Sequence, residues 1–105
     1  MTSTPKIITL CGSTKFKESF EKASLDFTLK GYIVLSPGCY MHKDNIAISD
    51  IDKIKLDELH KRKIDLSDII YIINENNCIG SSTRSEIEYA KKLKKPIYYM
   101  CIESV

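Results

Sequence analysis

Ile69-Ile70-Tyr71-Ile72-Ile73, a polar loop from Asn74 to Ser82, then Thr83-Arg84-Ser85-Glu86-Ile87-Glu88-Tyr89-Ala90: this stretch decides how the chain folds. Four isoleucines around one tyrosine leave no polar face, the pattern of a strand buried on both sides. The loop ends in Gly80-Ser81-Ser82 and enters a predicted helix, Thr83 to Leu93, whose last turn is basic as the helix dipole prefers. In open α/β sheets ligands bind at the carboxyl ends of strands, where backbone N–H groups and helix N-termini are free.

The rest of the chain reads in the same register. Lys6 to Cys11 is a short apolar strand ended by Gly12. From Thr14 to Lys30, Phe16, Phe20, Ala23 and Phe27 mark one face of a helix, with Gly31 where a C-cap glycine belongs. Tyr32 to Leu35 is a second strand, stopped by Ser36-Pro37-Gly38, and residues 39–49 show no period and read as a loop. Ser49 or Asp50 can cap a helix running to about Ser67, with Ile51, Ile54, Leu59 and Leu66 expected in the core. Asp68 to Ile73 is the third strand, and Pro96 introduces a fourth, Ile97 to Ile102.

Alternating strands and helices with apolar strands predict an α/β fold, a flavodoxin-like doubly wound sheet with helices on both faces. Right-handed crossovers give four parallel strands in the order 2-1-3-4. The loops after strands one and three, at Gly12 and Gly80, then flank one crevice at the switch point. At 105 residues the chain is expected to be a single domain, 1–105.

Composition narrows the function classes. Sixteen basic and 14 acidic residues leave a net charge of +2, too balanced to argue for a nucleic-acid polymer or a membrane partner. No apolar run approaches a membrane span and Met1 to Lys6 does not read as a signal peptide, so a cytoplasmic protein is expected. The four cysteines, at 11, 39, 78 and 101, form no C-x-x-C pair and read as free thiols. Cys11, Cys39, Cys78 and His42 are a conceivable metal set, but they lack ligand spacing, and small buried thiols are commoner. Neither a metal nor another cofactor is expected.

Cys11-Gly12-Ser13-Thr14-Lys15 opens the first helix with a turn glycine, two hydroxyls and a cation, a combination that suits a phosphate. It is neither a P-loop nor a dinucleotide fingerprint, and Ser13 or Thr14 can equally serve as an N-cap with Lys15 in solvent. Glu86 is equally divided. Thr83-Arg84-Ser85-Glu86 fits a capping box, in which Glu86 bonds back to the N-cap amide. Its position across the switch point from a second candidate phosphate loop instead suits a catalytic carboxylate.

Leu10-Cys11-Gly12-Ser13-Thr14, Asp65-Leu66-Ser67-Asp68-Ile69-Ile70 and Ser82-Thr83-Arg84-Ser85-Glu86-Ile87-Glu88-Tyr89-Ala90 resemble, in this order, the nucleoside 2-deoxyribosyltransferase superfamily. That group includes 2'-deoxynucleoside 5'-monophosphate N-hydrolases. The resemblance implies that Glu86 attacks the anomeric carbon and forms a glycosyl-enzyme ester, which a nucleoside or water resolves, as in retaining glycosidases. Ser13 and Lys15 match the serine and basic residue with which the hydrolases hold a 5'-phosphate. Gly12, Thr14, Gly80, Ser81, Ser82 and Thr83 complete the implied substrate loops. Where the transferases often carry an aspartate, this chain has Gly80. A second family aspartate, which protonates the leaving base, falls near His60, with Asp57 one turn earlier as the substitute. Tyr40, Met41 and His42 are candidates to stack on a base. The implied partner is a small nucleotide or nucleoside, and the implied assembly is a homodimer or higher oligomer, through the helix of residues 49–67 or its flanking loops.

Overall fold

A computed structural model describes residues 4–37 and 47–101; Cys39, Tyr40, Met41, His42 and Ile102 lie outside the described residues. Strand β1 is Ile7–Gly12, helix α1 Lys17–Leu29, β2 Ile33–Leu35, α2 Asp50–Leu66, β3 Ile69–Ile73, α3 Ser81–Lys92 and β4 Ile97–Tyr99. All pairings are parallel and the strand order is β2-β1-β3-β4, the flavodoxin-like arrangement expected. Among the described residues no helix is long and apolar enough to cross a membrane.

The alternation of side chains along each strand divides the core into two layers. Leu10 and Ile73 face α1 and pack with Phe20 and Ala23, while Phe16, Phe27 and Tyr71 flank them. Cys11, Ile70 and Ile72 face the other way and pack with Ile64 of α2 and with Ile87 and Ala90 of α3. The stripe read from Phe16 to Phe27 is therefore the inward face of the first helix. That helix begins with a short 3-10 turn, Thr14–Phe16, before the α-helical part starts at Lys17.

Helix α2 corrects the expected core. Ile51 and Ile54 are each 68% exposed, Leu59 is 56% exposed and Leu66 65%, whereas His60 and Ile64 are buried. At 3.6 residues per turn Ile51 lies about half a turn around the helix from His60 and Ile54 about a third of a turn, while Leu59 and Leu66 border a cleft rather than the core. The inward stripe holds His60 and Ile64, and it is anchored by polar bonds at its C-terminal end. Ser67 Oγ donates to Lys63 O (2.7 Å), Thr9 Oγ1 bonds to Ser67 Oγ, and Asp68 Oδ2 accepts from the Ile7 amide (2.9 Å). These bonds tie the end of α2 to the edge of β1 and set the rotation of the helix.

At the sheet's carboxyl end the Asn74 side chain donates to Cys101 O (2.9 Å) and accepts from the Cys101 amide (2.8 Å), joining the ends of the third and fourth strands. The two helices of one face are linked by Tyr89, whose hydroxyl donates to Asp65 Oδ1 (2.6 Å) and accepts from Arg62 (2.9 Å).

Candidate active site

Three elements deliver the site. Cys11 shares the α2/α3 side of β1 with Thr9; His60 stands one turn before the core residue Ile64, and Glu86 immediately precedes the core residue Ile87. Cys11 Sγ lies 3.2 Å from His60 Nε2, and His60 Nε2 lies 3.8 Å from Glu86 Oε1. The Glu86 side chain is 12% exposed, and that of His60 8%.

Glu86 is not a capping residue. Helix α3 begins at Ser81, with extended Gly80 as its N-cap and the Arg84 amide bonding to Gly80 O at 3.0 Å. Thr83 is thus a buried member of the first turn, and Glu86 belongs to the second, beyond reach of the N-cap amide. The sequence motif misplaces the boundary because serines accept first-turn positions as readily as a threonine accepts the cap. Gly80, as the N-cap, has no side chain with which to cap this helix.

Burial governs the protonation of all three groups. It pushes the Glu86 carboxyl from 4.5 up to about 7, with the nearby Asp57 charge adding to the rise. A hydrogen bond from Cys11 and the cations Lys61 and Lys53 partly offset it. Burial lowers His60 from 6.5 to about 4, helped by the Lys63 charge and opposed by a bond to the Leu10 backbone. The Cys11 thiol is raised well above its ordinary value, first by burial and then by Glu86. Around neutral pH the histidine is therefore uncharged, and its contact with Glu86 is not an ion pair.

Glu86 and His60 line the inner wall of a cleft of about 610 Å³ between the loop after β1 and the start of α3, with Cys11 buried behind them. Gly12, Ser13, Thr14, Asp57, His60, Gly80, Ser81, Ser82, Thr83 and Glu86 all border it. Lys15 does not: it is exposed, with its ammonium over the Phe16 ring. Ser13 Oγ accepts from the Lys15 amide at 3.4 Å, so the capping reading of this serine holds beside its place on the cleft. Gly12 is required sterically, since a Cβ there would lie 2.6 Å from Ile73 O. Among the described residues nothing within 4 Å would obstruct a Cβ at Gly80.

Sequence reasoning missed Cys11 as a neighbour of Glu86, and it missed the cations Lys53 and Lys63 on the cleft wall. Lys53 Nζ donates to Ser82 Oγ (3.4 Å) and lies 3.9 Å from Asp57 Oδ2. The available signal was helical spacing: Lys53, Asp57 and His60 recur every three or four residues on one face of α2.

No family model matches the sequence, and no curated protein matches it either. The structure is similar to that of a 2-desoxiribosyltransferase from Leishmania mexicana, with a TM-score of 0.65 at 20% sequence identity, covering 90% of this chain. The two share a fold. This chain spans 63% of the length of that structure. In the deoxyribosyltransferase-like fold of this chain, the cleft sits at the carboxyl ends of β1 and β3, where an open parallel sheet places its ligands.

Proposed function

We propose that this protein cleaves or transfers the N-glycosidic bond of a deoxynucleotide or deoxynucleoside, with Glu86 as nucleophile. The observation that carries the reading is the position of Glu86: a nearly buried carboxyl on the cleft wall, in the second turn of α3 and so not spent on the helix cap. In the first step a Glu86 oxygen bonds to the anomeric carbon as the bond to the base breaks. The base leaves with that electron pair and takes a proton from solvent. Water or an acceptor nucleoside then attacks the same carbon, and the ester opens to restore the carboxylate.

A phosphate on the substrate suits the part of the cleft where α3 begins. The uncapped amides that open α3, together with Ser13, Thr14 and Lys53, supply donors and positive potential there. In this arrangement Lys53 takes the part that the sequence assigns to Lys15. Self-association through α2 belongs to the same reading, supported by the exposed Ile51, Ile54, Leu59 and Leu66.

The test is release of free base from a panel of deoxynucleoside monophosphates and nucleosides, with and without an acceptor. Wild-type protein should release base, and Glu86→Gln should fold, bind and lose nearly all turnover, because an amide cannot attack. Full turnover in folded Glu86→Gln removes the nucleophile assignment. A second reading, a nucleotide-sensing module without turnover, is favoured by His60: lowered to about 4, it carries no proton for a leaving base at neutral pH. Binding without base release across the whole panel decides for that reading.

A further inference from the structure

Cys11, His60 and Glu86 each bring one donor atom to a common point from β1, α2 and α3, and the three atoms lie within 4.8 Å of one another. An ion bound tetrahedrally at about 2.3 Å from sulfur and about 2.0–2.1 Å from nitrogen and oxygen holds S and N about 3.6 Å apart and N and O about 3.4 Å apart. The separations here, 3.2 Å between sulfur and nitrogen and 3.8 Å between nitrogen and oxygen, straddle those edges. Completing the shell brings the sulfur and the carboxylate oxygen, which lie within 4.8 Å of each other, to about 3.6 Å. His60 and Glu86 border the cleft, which leaves a direction open to solvent.

We propose that Cys11, His60 and Glu86 bind one borderline-soft divalent cation, Zn²⁺ or its analogue Co²⁺, through three protein ligands and a fourth position open to the cleft. A thiol, an imidazole and a carboxylate select such an ion over Mg²⁺ or Ca²⁺, which prefer all-oxygen shells. On binding, the Cys11 S–H bond breaks, its proton passes to solvent and a sulfur–metal bond forms. Lys53, Lys61 and Lys63 oppose the incoming charge; Asp57 and the two anionic ligands favour it. The ion occupies the Glu86 carboxylate, so under the glycosidic reading above, on which this consequence alone rests, it holds the protein inactive until a chelator removes it.

The test reads binding without activity. Chelator-treated full-length protein is titrated with Co²⁺ and followed by absorption, where a sulfur-to-cobalt charge-transfer band and intense visible bands report tetrahedral thiolate ligation. One Co²⁺ per chain should saturate the signal and Zn²⁺ should abolish it. A Cys39→Ser, Cys78→Ser, Cys101→Ser variant leaves Cys11 as the one thiol of the chain, and it should keep the full spectrum. Adding Cys11→Ala should remove the charge-transfer band, and adding His60→Gln or Glu86→Gln should weaken binding at least tenfold. Loss of the band in the folded triple variant, or its survival after Cys11→Ala, overturns the site. An intact cobalt spectrum in a protein that releases no base when stripped of metal counts against the glycosidic reading and leaves the metal site standing.

Discussion

Cys11 Sγ lies 3.2 Å from His60 Nε2, a contact between residues 49 positions apart that brings the end of the first strand against the inward face of α2. Glu86 closes the group from a third element. Because the three are packed together away from water, the fold favours the neutral form of each.

That preference has a consequence for stability against pH. The Glu86 value is raised, so the stability tied to its protonated form is full below 4.5 and is lost as pH rises through about 7. The His60 value is depressed, so its contribution is full above 6.5 and is lost as pH falls through about 4. In chelator, denaturant unfolding from pH 5 to pH 8 should therefore change little in the wild type, where the two contributions oppose each other, while Glu86→Gln keeps only the His60 contribution and should gain about 2 kcal/mol. Parallel pH profiles for the two proteins would contradict the burial of this carboxyl.

Gly12→Ala should destabilise the protein by about 1–3 kcal/mol, the usual cost of forcing an atom into packed structure. The added Cβ meets the Ile73 carbonyl oxygen at 2.6 Å and Ile73 Cβ at 3.0 Å, so β1 and β3 must separate where the cleft begins. Urea midpoints with unchanged m-values check this. An unaffected midpoint shows that the strands do not approach so closely.

Gly80→Asp separates stability from substrate choice. A side chain fits there, and an aspartate can accept from the uncapped first-turn amides of α3, a gain of a few tenths of a kcal/mol over glycine. The same carboxylate neutralises the positive end of the helix. Deoxynucleoside monophosphates should bind more weakly to the variant, and free nucleosides as well as before. Equal losses for both classes would take the start of α3 out of phosphate binding.

Substitutions along α2 distinguish its two faces. Ile64→Ala should cost about 2–5 kcal/mol, as expected for a fully buried isoleucine. Ile51→Ala, on the outer face, should stay within about 0.5 kcal/mol in thermal unfolding of the isolated chain. If this helix mediates self-association, Ile51→Lys with Ile54→Lys should shift the protein toward monomer in sedimentation experiments at micromolar concentration. An unshifted oligomer places the interface elsewhere.

The parallel sheet and its strand order were legible along the chain because they rest on local patterns: continuous apolar runs, alternating element types and the handedness of crossovers. Gly12 and Gly80 could be placed at one crevice for the same reason. The rotation of α2 and the start of α3 could not be read this way. Ile51, Ile54, Leu59 and Leu66 look like core residues to any count of apolar side chains, yet bonds from Thr9, Lys63 and Ser67 turn them outward and bring His60 in. Thr83-Arg84-Ser85-Glu86 satisfies a capping box on paper, while packing of Thr83, Ile87 and Ala90 starts the helix two residues earlier and presents Glu86 to the cleft. The meeting of Cys11, His60 and Glu86 depends on the relative placement of three elements far apart in sequence, and no local propensity encodes that distance.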